Sequence, residues 1–174
     1  MHTRDLALIG SGAGGVESLR RSLVEPALAR GWRVAVTLTP TAGSWLEHCG
    51  ERDEIERVTG LPCRVAARLP TEPRPHPPAD CYLVCPASAN VVAKLALGIA
   101  DNQALTAACE AVGEQAVPVV VFPRINAAHA RHPAWSSHVE TLRGAGVHVL
   151  AGPDSDLPWN AVLDVVDEVS GRTG

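Results

Sequence analysis

Short apolar runs alternate with helix-forming segments along the whole chain, and this alternation limits the folds open to it. Each run is rich in Val, Leu, Ala and Ile, and polar residues do not alternate with the apolar ones. Such continuously apolar strands are typical of parallel sheets that are covered on both faces. We therefore predict a three-layer, doubly wound α/β fold, Rossmann-like or flavodoxin-like, as a single domain over residues 1–174. The predicted strands cover residues 5–9, 32–38, 81–85, 117–122 and 147–151.

The intervening segments place apolar residues at helical spacing and carry helix stop signals such as Gly31 and Gly60. One segment, residues 69–78, holds five prolines in ten residues and is predicted to be a surface loop. The predicted helices cover residues 16–29, 53–59, 106–112, 137–144 and 159–170, with two more that begin near Thr39 and Pro86.

Composition excludes several classes of protein. Of 174 residues, 46% are hydrophobic, which argues against intrinsic disorder. No apolar run approaches the roughly 18 residues of a membrane span, and the N-terminus has no secretory signal pattern. A net charge of −4 argues against nucleic acid as a partner. Five cysteines without framework spacing fit a reducing compartment, so we expect a cytoplasmic protein.

The chain is poor in aromatic residues, with four Trp, one Tyr and one Phe. A core built from Ala, Val and Leu gains little buried area from each side chain. Further burial between subunits would recover area, so the composition favours an oligomer.

A glycine-rich turn, Gly10-x-Gly12-x-x-Gly15, follows the first predicted strand and matches a dinucleotide-binding fingerprint. That fingerprint also requires an acidic residue after the second strand, where this chain has Thr39 and Thr41 instead. Threonines suit a phosphate better than a ribose diol. The pattern therefore favours a mononucleotide phosphate over NAD, with a tight turn that binds nothing as the alternative.

A second candidate site, Pro86–Asn90, lies between the end of a strand and the start of a helix. Ligands of parallel α/β proteins bind outside the carboxyl ends of the strands. The small Ala87 and Ala89 would let a flat ring approach the backbone. As the alternative, Ser88 or Asn90 simply caps the helix.

These residues resemble a known family. Pro86-Ala-Ser-Ala-Asn90, followed by Asp101-Asn102, resembles the PASANT motif and the later DN of the homo-oligomeric flavin-containing cysteine decarboxylases. That family includes phosphopantothenoylcysteine decarboxylases and the peptidyl-cysteine decarboxylases of lantibiotic-type peptide biosynthesis. Residues 39–46 resemble its second FMN segment, and residues 123–130 keep the spacing of its PxMNxxMW substrate clamp.

The resemblance implies an FMN cofactor, with FAD as an alternative, and a homotrimer that can extend to a dodecamer. It also implies a peptide or small thiol-bearing carboxylate as substrate, without a role for nucleic acid, membrane or metal. The residues that would hold the phosphate and ribityl chain are Ser11, Gly12, Ala13, Thr39 and Thr41. Those that would line the flavin ring are Pro86, Ala87, Ser88, Ala89 and Asn90. Asn126 would match the clamp asparagine, with a role in substrate binding and catalysis, and His129 would contact substrate.

The chain also departs from the family pattern. Ile125, His129 and Ala130 replace Met, Met and Trp of the clamp. The position of the family's active-site histidine falls on Glu72, which leaves His76 as the candidate catalytic histidine, or else as an ordinary loop residue.

The reaction implied is oxidative decarboxylation of a C-terminal peptide cysteine to an enethiol. No cysteine follows Cys109, so the residue that returns electrons in the coenzyme A enzymes is absent. Two alternatives stay open: a flavin-binding protein with lost or different activity, and phosphopantothenoylcysteine decarboxylation. His129 and His132 have metal-ligand spacing without a third ligand nearby, and we predict no metal.

Overall fold

The computed structural model describes residues 4–150 and 158–171. In this part of the chain five strands form one sheet in the order β2-β1-β3-β4-β5, and every neighbouring pair is parallel. The strands are β1 (Arg4–Gly10), β2 (Trp32–Leu38), β3 (Cys81–Ala87), β4 (Val119–Pro123) and β5 (His148–Val149). This is the flavodoxin-like strand order, and it confirms the predicted doubly wound α/β fold.

Helices connect the strands. The first helical segment consists of a 3₁₀ turn at Val16–Ser18, a π-helical stretch at Arg20–Val24 and helix α1 at Glu25–Ala29. The next three helices are α2 (Pro40–His48), α3 (Glu51–Thr59) and α4 (Ala89–Leu97). The last four are α5 (Gln103–Glu114), α6 (Ala127–Ala130), α7 (Trp135–Gly144) and α8 (Trp159–Gly171).

Several boundaries differ from the sequence prediction for identifiable reasons. Helix α5 begins three residues earlier than predicted, because the Asn102 side chain caps it by accepting a hydrogen bond from Leu105 N at 3.0 Å. Strand β4 begins at Val119 rather than residue 117, directly after Pro118, which has no N–H for the ladder. Residue 151, the predicted end of the last strand, lies outside the described residues.

The core lies on both faces of the sheet, as the continuously apolar strands predict. One cluster joins Leu6, Leu8 and Phe122 to the first helical segment, α2, α3 and α8. The other joins Ile9, Val84 and their neighbours to α4, α5 and α7. The chain therefore holds the carboxyl ends of its strands between two packed layers of helices.

The topology creates a crevice at one edge of this core. From β1 the chain proceeds to β2 on one side of the sheet, and β3 lies on the other side of β1. The connections after β1 and β3 therefore diverge at their carboxyl ends, which is where doubly wound proteins bind ligands. The Cys85–Pro86 peptide bond at the end of β3 is cis.

Candidate functional site

An open cleft of about 1060 Å³ lies at the carboxyl ends of the strands. The connections that follow β1, β2, β3 and β4 all contribute to its walls. Nine of the residues predicted to form the site line it: Gly12, Ala13, Thr39, Thr41, Ser88, Ala89, Asn90, Asn126 and His129. The structure thus gathers into one cleft residues that are as much as 117 positions apart in sequence, from Gly12 to His129.

The glycine turn after β1 requires glycine at two positions. A Cβ atom on Gly12 would lie 2.6 Å from Cγ2 of Thr41, so a side chain there would separate the turn from α2. Gly15 has a φ of 92°, and a Cβ atom there would lie 2.8 Å from the Trp159 ring. The turn is therefore packed tightly between α2 and α8.

Ser11 joins the turn after β1 to the end of β3. Its hydroxyl donates to the Pro86 carbonyl at 2.6 Å and accepts from Ser88 N at 2.8 Å, while its own N–H donates to Pro86 O at 3.1 Å. The side chain is buried and does not line the cleft. The hydroxyl of Ser11 holds the two loops together, and its predicted contact with a cofactor stays a prediction.

Thr39 is a buried polar residue in the cleft wall. The residue is 7% exposed and lines the cleft, yet its side chain makes no hydrogen bond to any described residue. Thr39 is also the N-cap of α2, whose first-turn N–H groups lack partners within the helix. A buried unpaired hydroxyl is costly, so this position suits a ligand that accepts hydrogen bonds, above all an anion at the helix terminus.

The β3–α4 connection forms the next part of the wall. Ser88 caps α4, since its Oγ accepts a hydrogen bond from Val91 N at 3.2 Å, and its predicted contact with a flavin ring stays a prediction. Ala89 and Asn90 follow on the first turn and line the cleft. Pro86 and Ala87 are buried in β3 and do not line it.

The β4–α6 connection forms the opposite wall. Asn126 caps the short α6 by accepting from His129 N at 2.9 Å, which orders the segment that carries both predicted substrate residues. The backbone N of Arg124 donates to Ala87 O at 2.8 Å, so this wall is attached directly to β3.

Sequence reasoning missed an ion pair in the cleft. Lys94 Nζ lies 2.5 Å from Asp101 Oδ2, and both residues line the cleft with Asn102. Spacing in the sequence could have indicated this pair. Lys94 follows Asn90 by one helical turn on the same helix, and Asp101-Asn102 matches the DN that follows the PASANT motif. Leu105, Arg124 and Ile125 are further lining residues outside the predicted set.

His76 does not line the cleft of its own chain. Its Nε2 lies 2.7 Å from the Pro62 carbonyl oxygen, and burial lowers the pKa of its imidazole. The structure therefore places His76 half-buried in a largely exposed loop, apart from the other predicted site residues, and its catalytic role stays a prediction.

Sequence comparison decides the family. The profile of the Flavoprotein family matches residues 6–173. The chain belongs to the flavoprotein family. This match confirms the resemblance that the motifs indicate.

Two curated relatives match part of the chain. A cysteine/cysteine sulfinic acid decarboxylase from an unknown prokaryotic organism is 34% identical over 79 residues, 45% of this chain. The bifunctional coenzyme A biosynthesis protein CoaBC of Thermococcus kodakarensis is 33% identical over 72 residues, 41% of this chain. The aligned regions make up only 21% and 17% of those two relatives.

Solved structures with the same fold superpose on 95–98% of the chain. The FMN-dependent cysteine decarboxylase SpaF superposes with a TM-score of 0.77 at 23% identity, covering 98% of this chain and 97% of its own. TvaF, an FMN-dependent cysteine decarboxylase from thioviridamide biosynthesis, gives 0.70 at 25% identity, covering 98% and 99%. The peptidyl-cysteine decarboxylase EpiD gives 0.69 at 22% identity, covering 95% and 99%.

The described residues contain neither a candidate membrane span nor a candidate metal cluster. No helix in residues 4–150 or 158–171 is long and apolar enough to cross a membrane. Within the same residues, no group of three or more His, Cys, Asp or Glu side chains is placed to hold a metal ion.

Proposed function

We propose that this chain binds FMN in the cleft, with the phosphate at the N-terminus of α2. The observation that carries the proposal is the Thr39 hydroxyl, which is buried, lines the cleft and lacks a partner among the described residues. The absence of a side chain on Gly12 leaves the backbone of the turn close to Thr41 on the same helix. Phosphate oxygens would pair with the Thr39 hydroxyl and with the N–H groups of the first turn.

The flavin ring would then lie along the β3–α4 connection. Ala89 adds little bulk to that wall, and the exposed amide of Asn90 offers both a donor and an acceptor to the edge of a ring. Ser88 and Ser11 hold this connection to the turn after β1, so the two halves of the site are rigidly coupled. FAD is the alternative cofactor.

We further propose that the chain catalyses oxidative decarboxylation of a C-terminal cysteine to an enethiol. A bound flavin would supply the oxidant, accepting two electrons from the thiol-bearing carbon so that the resulting thioaldehyde readily loses CO2. The residues of the β4–α6 connection would bind the substrate. Asn126 is fixed by its cap on α6 and would orient the carboxylate beside the ring.

The test uses the purified protein and needs no known natural substrate. The protein should be yellow, and mass spectrometry of the released cofactor should identify FMN rather than FAD. Anaerobic mixing with a peptide that ends in Cys should bleach the flavin and remove one CO2 and two hydrogens from the peptide. Peptides that end in Ser, or in Cys amide, are matched controls and should do neither.

Different outcomes reject different parts of the proposal. A colourless protein that stays colourless with added FMN rejects flavin binding altogether. A yellow protein that leaves a library of Cys-terminated peptides unchanged supports the alternative, a flavin-binding protein with lost or different activity. Reaction with phosphopantothenoylcysteine alone would support the second alternative, phosphopantothenoylcysteine decarboxylation. The lack of a cysteine between residues 110 and 174 disfavours that alternative.

We propose a cytoplasmic homotrimer of single-domain subunits, with a dodecamer as the larger form. Its support is the exposure of large apolar side chains, which includes Trp45 at 52% and Leu97 at 64%. Light scattering of the purified protein should give a mass of three or twelve subunits, whereas a monomer would contradict the proposal.

A further inference from the structure

The cleft contains few groups that can exchange a proton near neutral pH. Among its described lining residues, the titratable side chains are Lys94, Asp101, Arg124 and His129. Lys94 and Asp101 are paired with each other at 2.5 Å, and the guanidinium of Arg124 is a side chain with donors only. Among these described lining residues, His129 carries the one imidazole, the side chain that most often acts as general acid and base in enzymes.

The structure leaves the His129 ring available to a ligand. The backbone N–H of His129 is held by Asn126 Oδ1 at 2.9 Å, and its carbonyl accepts from His132 N at 3.1 Å. Its imidazole, by contrast, is exposed and makes no hydrogen bond to any described residue. The main chain is therefore fixed while both ring nitrogens can meet a molecule in the cleft.

The candidate histidine of the sequence, His76, and the residue at the family histidine's position, Glu72, are engaged elsewhere. His76 Nε2 lies against the Pro62 carbonyl at 2.7 Å, and the Glu72 carboxylate accepts from Leu69 N at 2.8 Å. Neither residue lines the cleft of its own chain. A substrate held by Asn126 would therefore meet His129 before it meets either of these groups.

We infer that His129 is the catalytic residue that carries the thiol proton in the reaction proposed above, on which this inference rests. The S–H proton of the substrate cysteine would move to His129, and a bound flavin would take up the Cβ hydrogen with its two electrons. The Cα–carboxylate bond then breaks, and its electron pair forms the Cα=Cβ bond as the C=S pair moves to sulfur. The imidazolium returns its proton to that sulfur, which gives enethiol and CO2.

Kinetics of a single anaerobic turnover test this role with two variants of His129 and one control variant. His129→Ala should slow flavin bleaching and CO2 release by ~100-fold, the range of general acid–base catalysis, while flavin content stays unchanged. Added imidazole should restore part of that rate. His129→Met, which introduces the residue of the clamp motif, should be as slow as His129→Ala. His132→Gln, a change of an exposed histidine three residues away, is the matched control and should react like wild type.

A wild-type rate in His129→Met would show that the position only packs against substrate, and would overturn the inference. The inference is also overturned if His76→Gln abolishes the single turnover and His129→Ala reacts at the wild-type rate. Failure of imidazole to restore any rate to His129→Ala would also count against proton transfer.

A second measurement does not depend on turnover. In protein whose flavin has been reduced with dithionite, no electrons can be accepted, so N-acetyl-L-cysteine can bind without being consumed. The ring signal of His129 in a proton NMR spectrum, assigned by its loss in His129→Gln, should shift with this ligand, and that of His132 should not. If wild type consumes Cys peptides but the His129 signal does not shift, the role of His129 is rejected and the proposed reaction is kept. If the signal shifts but no peptide is consumed, the proposed reaction is rejected and the contact between His129 and the ligand is kept.

Discussion

The hydroxyl groups of Ser11 and Thr39 both lie at the carboxyl edge of the sheet, and their hydrogen bonding differs. Ser11 is fully engaged with Pro86 and Ser88, whereas Thr39 has no side-chain partner among the described residues. The family resemblance of the sequence implies that both are cofactor contacts. It cannot separate them, because the difference arises from the pairing of β1 with β3, more than 70 residues away.

Replacement of Thr39 with Val should weaken FMN binding and leave the fold intact. The variant keeps the shape of the side chain but removes a hydroxyl that has no described partner, so the free energy of unfolding of the apoprotein should change by less than about 1 kcal/mol. Loss of one hydrogen bond to a charged phosphate costs about 1.5–3 kcal/mol, so the Kd for FMN should rise at least tenfold. Titration calorimetry and urea unfolding measure the two effects. Thr37→Val is the matched control, since Thr37 is equally buried at 6% exposure and does not line the cleft; equal FMN affinity in both variants would contradict the assignment.

The five cysteines should differ sharply in reactivity. Cys63 and Cys81 are buried, and burial raises the pKa of each thiol to about 12, while Cys85 is buried with its pKa raised as well. Cys49 is exposed, and Cys109 is half-buried with a raised pKa. Because thiolates are the reactive form, iodoacetamide at pH 8 should label Cys49 first and Cys109 more slowly. Mass spectrometry should find Cys63, Cys81 and Cys85 unlabelled until urea is added; early labelling of any of them would contradict their burial.

At the scale of elements, three helices that start at the cleft have a polar side chain as their N-cap, whereas the N-cap of α2, Thr39, makes no side-chain hydrogen bond. Ser88 caps α4, Asn102 caps α5 and Asn126 caps α6, and each lies in the cleft wall. The sequence prediction begins α5 at residue 106, although Ala104 and Leu105 in the first turn of the observed helix are apolar and buried. Helix α6 is absent from the sequence prediction because its four residues are too few to show a periodic apolar pattern.

Loss of the α5 cap should destabilise the protein. Asn102→Ala removes the acceptor for Leu105 N and the bond from its Nδ2 to Asp101 Oδ1 at 3.2 Å. The free energy of unfolding should fall by ~1 kcal/mol, which urea unfolding monitored by circular dichroism can resolve. Asn102→Ser keeps a capping oxygen and should recover most of that loss. Equal stability of the two variants would show that the cap contributes nothing.

At the scale of the whole molecule, the sequence predicts the layers and the position of the site but not how distant elements are joined. Continuously apolar strands and the glycine turn suffice for the parallel sheet and for a ligand at its carboxyl edge. Contacts between remote segments carry no local signal. The ion pair between Arg20 and Glu51 is an example, since it joins the π-helical stretch to α3 across 31 positions, with N–O distances of 2.7 and 3.0 Å.

This ion pair should make the stability of the molecule depend on pH. The hydrogen bonds from Arg20 hold the pKa of Glu51 below its ordinary value of about 4.3. A carboxyl group whose pKa is lower in the folded state binds its proton more readily when unfolded. The stability that it contributes is therefore complete above the ordinary carboxyl pKa and is lost as the pH falls through the lower folded value.

The free energy of unfolding of wild type should thus decrease between pH 6 and pH 3, as measured by urea unfolding at a series of pH values. Glu51→Gln should be less stable than wild type at pH 7 and should approach it at low pH, because both then lack the charge. Glu54→Gln is the comparison: its partner Arg57 and its own carboxylate are exposed, at 65% and 44%, so solvent screens the pair and the change should be smaller. The reverse order of the two variants at pH 7 would show that Arg20–Glu51 does not join the two helices.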